Sequence, residues 1–97
     1  MMFLVLLTYT VPLEVVDRHI PAHRDFLSRN YARGAFLLSG RKEPREGGII
    51  LATADSRQAL EALLAEDPFH IHGVAQYQIV QFTPTMAADA LSTLVAA

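Results

Sequence analysis

The sequence predicts an α+β fold: a ferredoxin-like β-α-β-β-α-β sandwich with a four-stranded antiparallel sheet and helices on one face. Three observations predict it. Residues 2–9, 35–39, 49–53 and 74–82 have the apolar and β-branched content and the length of strands. Residues 21–33 and 56–66 carry apolar side chains three and four apart, the spacing of a buried helix stripe. A helical stretch follows the first strand and another the third, while a polar turn alone joins the second and third strands, which is the split β-α-β order.

The bulk numbers agree with one globular domain over residues 1–97, with 83–97 as a C-terminal helix or tail. Of 97 residues, 52% are apolar and 19% charged, which is too apolar for a disordered chain. The net charge of −2 comes with no basic run and no aromatic–basic stripe, so no nucleic-acid partner is expected. Zero cysteines exclude disulfides, thiolate catalysis and cysteine-ligated metals. The opening apolar run from Met1 to Leu7 is too short to span a bilayer and lacks a basic leader or small-residue cleavage site. A cytoplasmic protein with no membrane partner is the expectation.

The first strand is apolar almost without interruption and ends at Pro12, with a short helical turn expected over residues 13–18. Proline is tolerated at the first helical position and costly in a helix interior, so Pro21 is read as the start of the first main helix and Gly34 as its stop. Phe26, Leu27, Asn30 and Tyr31 then share one face, and His23, three and four residues before Phe26 and Leu27, joins it from the first turn. The second strand ends at Gly40, and residues 40–48 form a polar turn with Arg41, Lys42 and Arg45. Asp55 is read as N-cap of the second helix, with Gln58 completing an approximate capping box. The stripe of Leu60, Leu63 and Leu64 extends to Asp67, which Pro68 forces out of helical conformation. In the last strand Ala75, Tyr77 and Ile79 alternate with Gln76 and Gln78, giving one apolar face.

Two helices cover one sheet face. The other would leave the apolar residues of the first three strands bare, an exposed patch of unusual size. A homodimer packed sheet against sheet is therefore expected.

The candidate chemistry lies in His23 and Asp67. An ionisable imidazole sits on an apolar helix stripe, and two carboxylates, Glu66 and Asp67, fall at a helix C-terminus, where the helix dipole disfavours negative charge by roughly 0.3–1 kcal/mol each. Local misfits that point to one place mark candidate sites. An aspartate bonded to one imidazole nitrogen fixes the tautomer and leaves the other nitrogen as a general base. The bland reading has His23 bonding a backbone carbonyl and Asp-Pro acting only as a helix stop. His70 and His72 would share a face of extended chain but lack a third ligand, and Pro21 separates His19 from His23, so no metal is expected. Ser39, Arg45 and Phe69 are weaker candidates for lining a pocket, Arg45 within a turn that is otherwise solvated. Tyr9, Tyr31 and Tyr77 read as core.

Pro21-Ala22-His23, Gly34, Ser39-Gly40, Pro44-Arg45 with Gly47-Gly48, Asp67-Pro68-Phe69, Gly73 and the closing Tyr77/Phe82 strand occur in an order that resembles the YCII-related (YciI-like) family over roughly residues 2–84. The resemblance implies a ferredoxin-like fold of the dimeric α/β-barrel group and an active-site His–Asp pair at His23 and Asp67. Members tied to chlorinated-aromatic breakdown resemble dehydrochlorinases. Where such members often have Ser-Gly-Pro, this chain has Ser39-Gly40-Arg41.

The expected function is acid–base elimination or hydrolysis of a small organic molecule by a dimeric, cofactor-free, dehydrochlorinase-like lyase or hydrolase. His23 would carry the proton and Asp67 would orient it. The alternative is a non-catalytic ligand-binding or accessory subunit using the same pocket.

Overall fold

The computed structural model describes residues 1–95. Strand β1 (Met2–Tyr9) is followed by helix α1 (Leu13–Ala32), strands β2 (Phe36–Arg41) and β3 (Gly47–Thr53), helices α2 (Arg57–Leu64) and α3 (Pro68–Ile71), and strand β4 (Ala75–Phe82). The strands form one antiparallel sheet in the order β2-β3-β1-β4, with the helices on one side. This is the α+β sandwich that the pattern predicts.

Strand alternation sorts the side chains by face. Phe3, Val5 and Leu7 point to the helices and are buried with Phe36, Ile50, Ala52, Phe26, Leu60 and Phe69. Burying side chains of this size contributes about 1.5–3 kcal/mol each, so this layer holds the helices to the sheet. The opposite face carries a row of directly paired apolar residues across all four strands: Leu38 opposite Leu51, Leu51 opposite Leu4, and Leu4 opposite Val80. Leu38 is 55% exposed and Val80 41%.

The first helix departs from expectation. It starts at Leu13, merging the expected short turn with the main helix, and carries Pro21 in its interior. An interior proline removes one backbone hydrogen bond and costs about 3 kcal/mol. Val16, fully buried, and Ile20, packed against the core, hold the segment before Pro21 onto the sheet and offset that loss. His23 is thus the eleventh residue of a 20-residue helix, well away from the first turn. Gly34, at φ +75°, stops the chain just beyond this helix, as expected.

The second helix also differs in its caps. Ser56 caps it, accepting a hydrogen bond from Ala59 N–H at 3.0 Å, so the Asp55–Gln58 box does not form. The chain then turns at Ala65 and re-enters a helix at Pro68. Asp67 is therefore the N-cap of α3 rather than the last residue of the preceding helix, and its carboxylate accepts from Phe69 N–H at 3.0 Å. The dipole argument for Asp67 as a misfit is overturned: proline at the first helical position and aspartate before it are a favourable helix start. Strand β2 runs on through Gly40 to Arg41 and β3 begins at Gly47, which leaves a shorter turn over residues 42–46. Among the described residues of the tail no α-helix forms from Thr83, and a 3-10 helix covers Asp89–Leu94; residues 96–97 lie outside the described residues.

Candidate active site

Asp67 is the buried centre of the site. Its side chain has no solvent exposure, and three donors converge on it. His23 Nδ1 lies 2.7 Å from Oδ1, Phe69 N–H donates to the same oxygen, and the Tyr77 hydroxyl donates to Oδ2 at 2.6 Å. Both oxygens of Asp67 are thus occupied by hydrogen bonds. A buried carboxylate without such donors would carry a desolvation cost of several kcal/mol.

The donors come from separate elements. His23 hangs from the middle of α1, Phe69 lies in α3, and Tyr77 reaches in from β4, with α3 packed against both α1 and β4. The His23 ring stacks on Phe69 with centroids 3.9 Å apart and planes 6° apart. Tyr9 meets the same phenyl ring edge-on at 5.9 Å. The imidazole is thus held through Nδ1 by Asp67 and flat against Phe69, and Nε2 has no hydrogen-bond partner among the described residues. Burial first, and then the charge of Asp67, push the Tyr77 hydroxyl far above the ordinary tyrosine range, so it remains a donor.

His23 opens onto a cavity of about 710 Å³ between α1, β1, β2 and β3. This is within the usual range for small-molecule sites. Its apolar floor and walls include Leu7, Ile20, Leu27, Ile50 and Phe69. Ser39 and Arg45, both expected pocket residues, line it as well. Ser39 lies inside β2 rather than at a strand end, and its hydroxyl is hydrogen-bonded to that of Tyr31. Arg45 is ion-paired with Asp17, which ties the β2–β3 turn to α1 across the mouth. That hydrogen bond is the main cause raising Arg45 above its ordinary value, with desolvation opposing it.

The other histidines do not join His23. His19 and His23 do share one continuous helix, but the His19 ring stacks on His72 at 4.3 Å while His23 is turned to Asp67. His70 and His72 lie in a helical turn and its cap, not in extended chain. No group of three or more potential metal ligands occurs among the described residues.

Tyr77 is the member of this hydrogen-bond cluster that sequence reasoning missed, because an apolar position in an alternating strand reads as core. Its alternation placed it on the helix-facing side, but nothing local indicates where its hydroxyl ends.

The YCII-related domain matches residues 2–83. The chain belongs to the YCII-related family. The structure of this YCII-related protein is similar to that of 5-chloro-2-hydroxyhydroquinone dehydrochlorinase (TftG) from Burkholderia phenoliruptrix AC1100, solved in complex with 2,5-dihydroxybenzoquinone. The TM-score is 0.76 at 18% identity, covering 87% of this chain and 95% of that one. At this identity the likeness is one of fold. No curated protein matches the chain. Among the described residues of this YCII-related protein, no helix is long and apolar enough to cross a membrane.

Proposed function

We propose that this protein is a small-molecule acid–base enzyme in which His23 carries the proton and Asp67 orients and stabilises the imidazole. The observation that supports this most directly is the His23 Nδ1–Asp67 Oδ1 contact of 2.7 Å at the wall of a ligand-sized cavity. With Nδ1–H committed to the carboxylate, Nε2 is the basic nitrogen. It takes a proton from a bound substrate, and the imidazolium that forms lies against the negative charge of Asp67. In an elimination, the electron pair released from the broken bond to hydrogen forms the new π bond, and the leaving group departs with its own pair as an anion. The imidazolium then returns its proton to solvent or to the product. The likeness to a dehydrochlorinase supports elimination from a small hydroxylated ring as the first reaction to test. The residues in hand supply proton transfer, so the proposal is a cofactor-free lyase or hydrolase.

We further propose that the working unit is a homodimer formed through the open sheet face. The apolar row from Leu38 to Val80 supports it, since a partner sheet would remove that row from water. The proposed compartment is the cytoplasm.

The test is a screen of chlorinated and hydroxylated aromatic compounds, lactones and small carbonyl compounds against wild type, His23→Gln and Asp67→Asn. Turnover by wild type that falls at least about a hundredfold in His23→Gln, in folded protein, is expected. Turnover unchanged in His23→Gln would overturn the assignment. Ligand binding without turnover would favour the accessory-subunit reading. Light scattering of wild type and Leu4→Glu tests the dimer, and a monodisperse wild-type monomer at micromolar concentration would sink it.

A further inference from the structure

The charges lining the cavity do not follow the chain average. The whole chain has 8 Lys and Arg against 10 Asp and Glu. The cavity draws three arginines, Arg24, Arg41 and Arg45, and one acid, Asp17, so its lining is two positive charges in excess, leaving His23 aside. The three guanidiniums come from three places. Arg24 lies on α1 between Ile20 and Leu27, four residues after one and three before the other, on the helix face that lines the cavity. Arg41 pairs opposite Gly48 and lies two residues beyond Ser39, which pairs with the buried Ile50, so it is on the helix-facing side of β2. Arg45 lies in the turn between β2 and β3.

Their partners differ in kind. Arg45 is held by Asp17. Arg41 pairs with Glu43, and both side chains are more than 70% exposed, so water screens the pair and a ligand can replace it. Arg24 has no ion pair and no side-chain hydrogen bond among the described residues, although it lines the cavity. The planar guanidinium fork matches a carboxylate in two-point geometry. The rest of the lining is largely apolar, with Leu7, Ile20, Leu27, Ile50 and Phe69 beside the hydroxyls of Tyr9 and Ser39 and the His23 ring. Gly40, Gly47 and Gly48 lie in strands rather than in a loop that could wrap a phosphate with free backbone N–H groups.

We infer that the arginines lining this cavity form a carboxylate site and that the ligand is a small organic acid, held by Arg24 and Arg41 with Arg45 beside them, its apolar body lying over Leu7, Ile50 and Phe69. This deepens the acid–base reading by naming the substrate class of the same cavity, and it rests on that reading only for the role of His23.

The experiment is an amide-resolved NMR titration at low ionic strength with benzoate, phenylacetate and hexanoate, each beside its uncharged amide and beside phenyl phosphate. At least one acid is expected to shift the backbone signals of Ser39, Gly48 and Phe69 and to bind about tenfold or more tighter than its amide, with affinity falling as salt rises. Arg24→Gln and Arg41→Gln are each expected to weaken that acid about tenfold, and the double variant to abolish the preference over the amide. Amides binding as well as acids, no acid binding at millimolar concentration, or an acid affinity untouched in the double variant would each overturn the inference. Phenyl phosphate outcompeting every acid would replace the carboxylate with a phosphate ester. His23→Gln keeps the two questions apart. Acid binding that persists in it upholds the arginine site whatever becomes of the catalytic reading, and turnover lost in it alone speaks to His23.

Discussion

Two groups of residues that meet at the cavity are built on different principles. Around Asp67 the polar groups are buried or nearly so: Asp67 is without exposure, and His23, Phe69 and Tyr77 all bond to it. Among the arginines the pair Arg41–Glu43 is exposed and the pair Arg45–Asp17 partly so. Hydrogen bonds in a low-dielectric interior fix geometry and are costly to break, while exposed ion pairs contribute little and exchange readily. One group therefore holds a side chain in a single orientation, and the other can release its partners to a ligand.

Four substitutions test that contrast, from the largest expected effect to the smallest. Asp67→Ala strips the acceptor from three donors and removes the cap of α3, and should destabilise by about 3–5 kcal/mol, measured by urea denaturation. A loss under about 1 kcal/mol would mean that the buried network is not holding the fold. Gly47→Ala tests backbone packing where β1 and β3 line the cavity. A Cβ there would lie 1.8 Å from the Leu7 carbonyl oxygen, so β1 and β3 must shift, for an expected loss of roughly 1–3 kcal/mol.

Tyr77→Phe should be milder at neutral pH, about 1–2 kcal/mol, because one of the three hydrogen bonds to Asp67 is lost. Its distinctive signature lies at high pH. The tyrosine hydroxyl titrates higher in the folded than in the unfolded protein, so its contribution is complete below the unfolded value near 10 and is lost above it, as the unfolded chain ionises while the folded chain keeps its proton. Wild type should lose up to about 1.4 kcal/mol per pH unit from this group above that point, and Tyr77→Phe should lack that part of the slope. Denaturant midpoints measured from neutral pH to 11.5 check this, and parallel wild-type and variant curves would refute it. Smallest of all, Asp17→Asn should leave the thermal midpoint unchanged within error while altering only the affinity for anions, read by differential scanning fluorimetry and by the benzoate titration.

His23 and Asp67 stand out in the sequence for reasons that are only partly those the structure shows. The expected misfits are an ionisable histidine on an apolar helix stripe, placed in a first turn, and the carboxylates Glu66 and Asp67 at a helix C-terminus. The structure has His23 in mid-helix and Asp67 as a favourable cap, yet the two side chains meet. The stripes carry the reliable information: His23 shares its face with Phe26, and Asp67 follows Leu60 and Leu64, so both are directed at the same core. Pro21 misleads because a proline rule describes an isolated helix, and the burial of Val16 on the sheet outweighs it.

What the sequence by itself determined is local. The four strands, the stop at Gly34 and the turn between β2 and β3 follow from periodicity and from the backbone preferences of proline and glycine, which act over a few residues, whereas Asp67-Pro68 reads locally as a helix stop and is in fact a helix start. The tertiary structure alone decided which side chains meet. Tyr77 reaches Asp67 because β4 lies beside β1 and against α3, and Arg24 lines the same cavity as Arg41 and Arg45 because α1 packs against β2. The physical reason is range: hydrogen-bond convergence and charge clustering depend on distances that sheet order and helix packing set between residues remote in the chain.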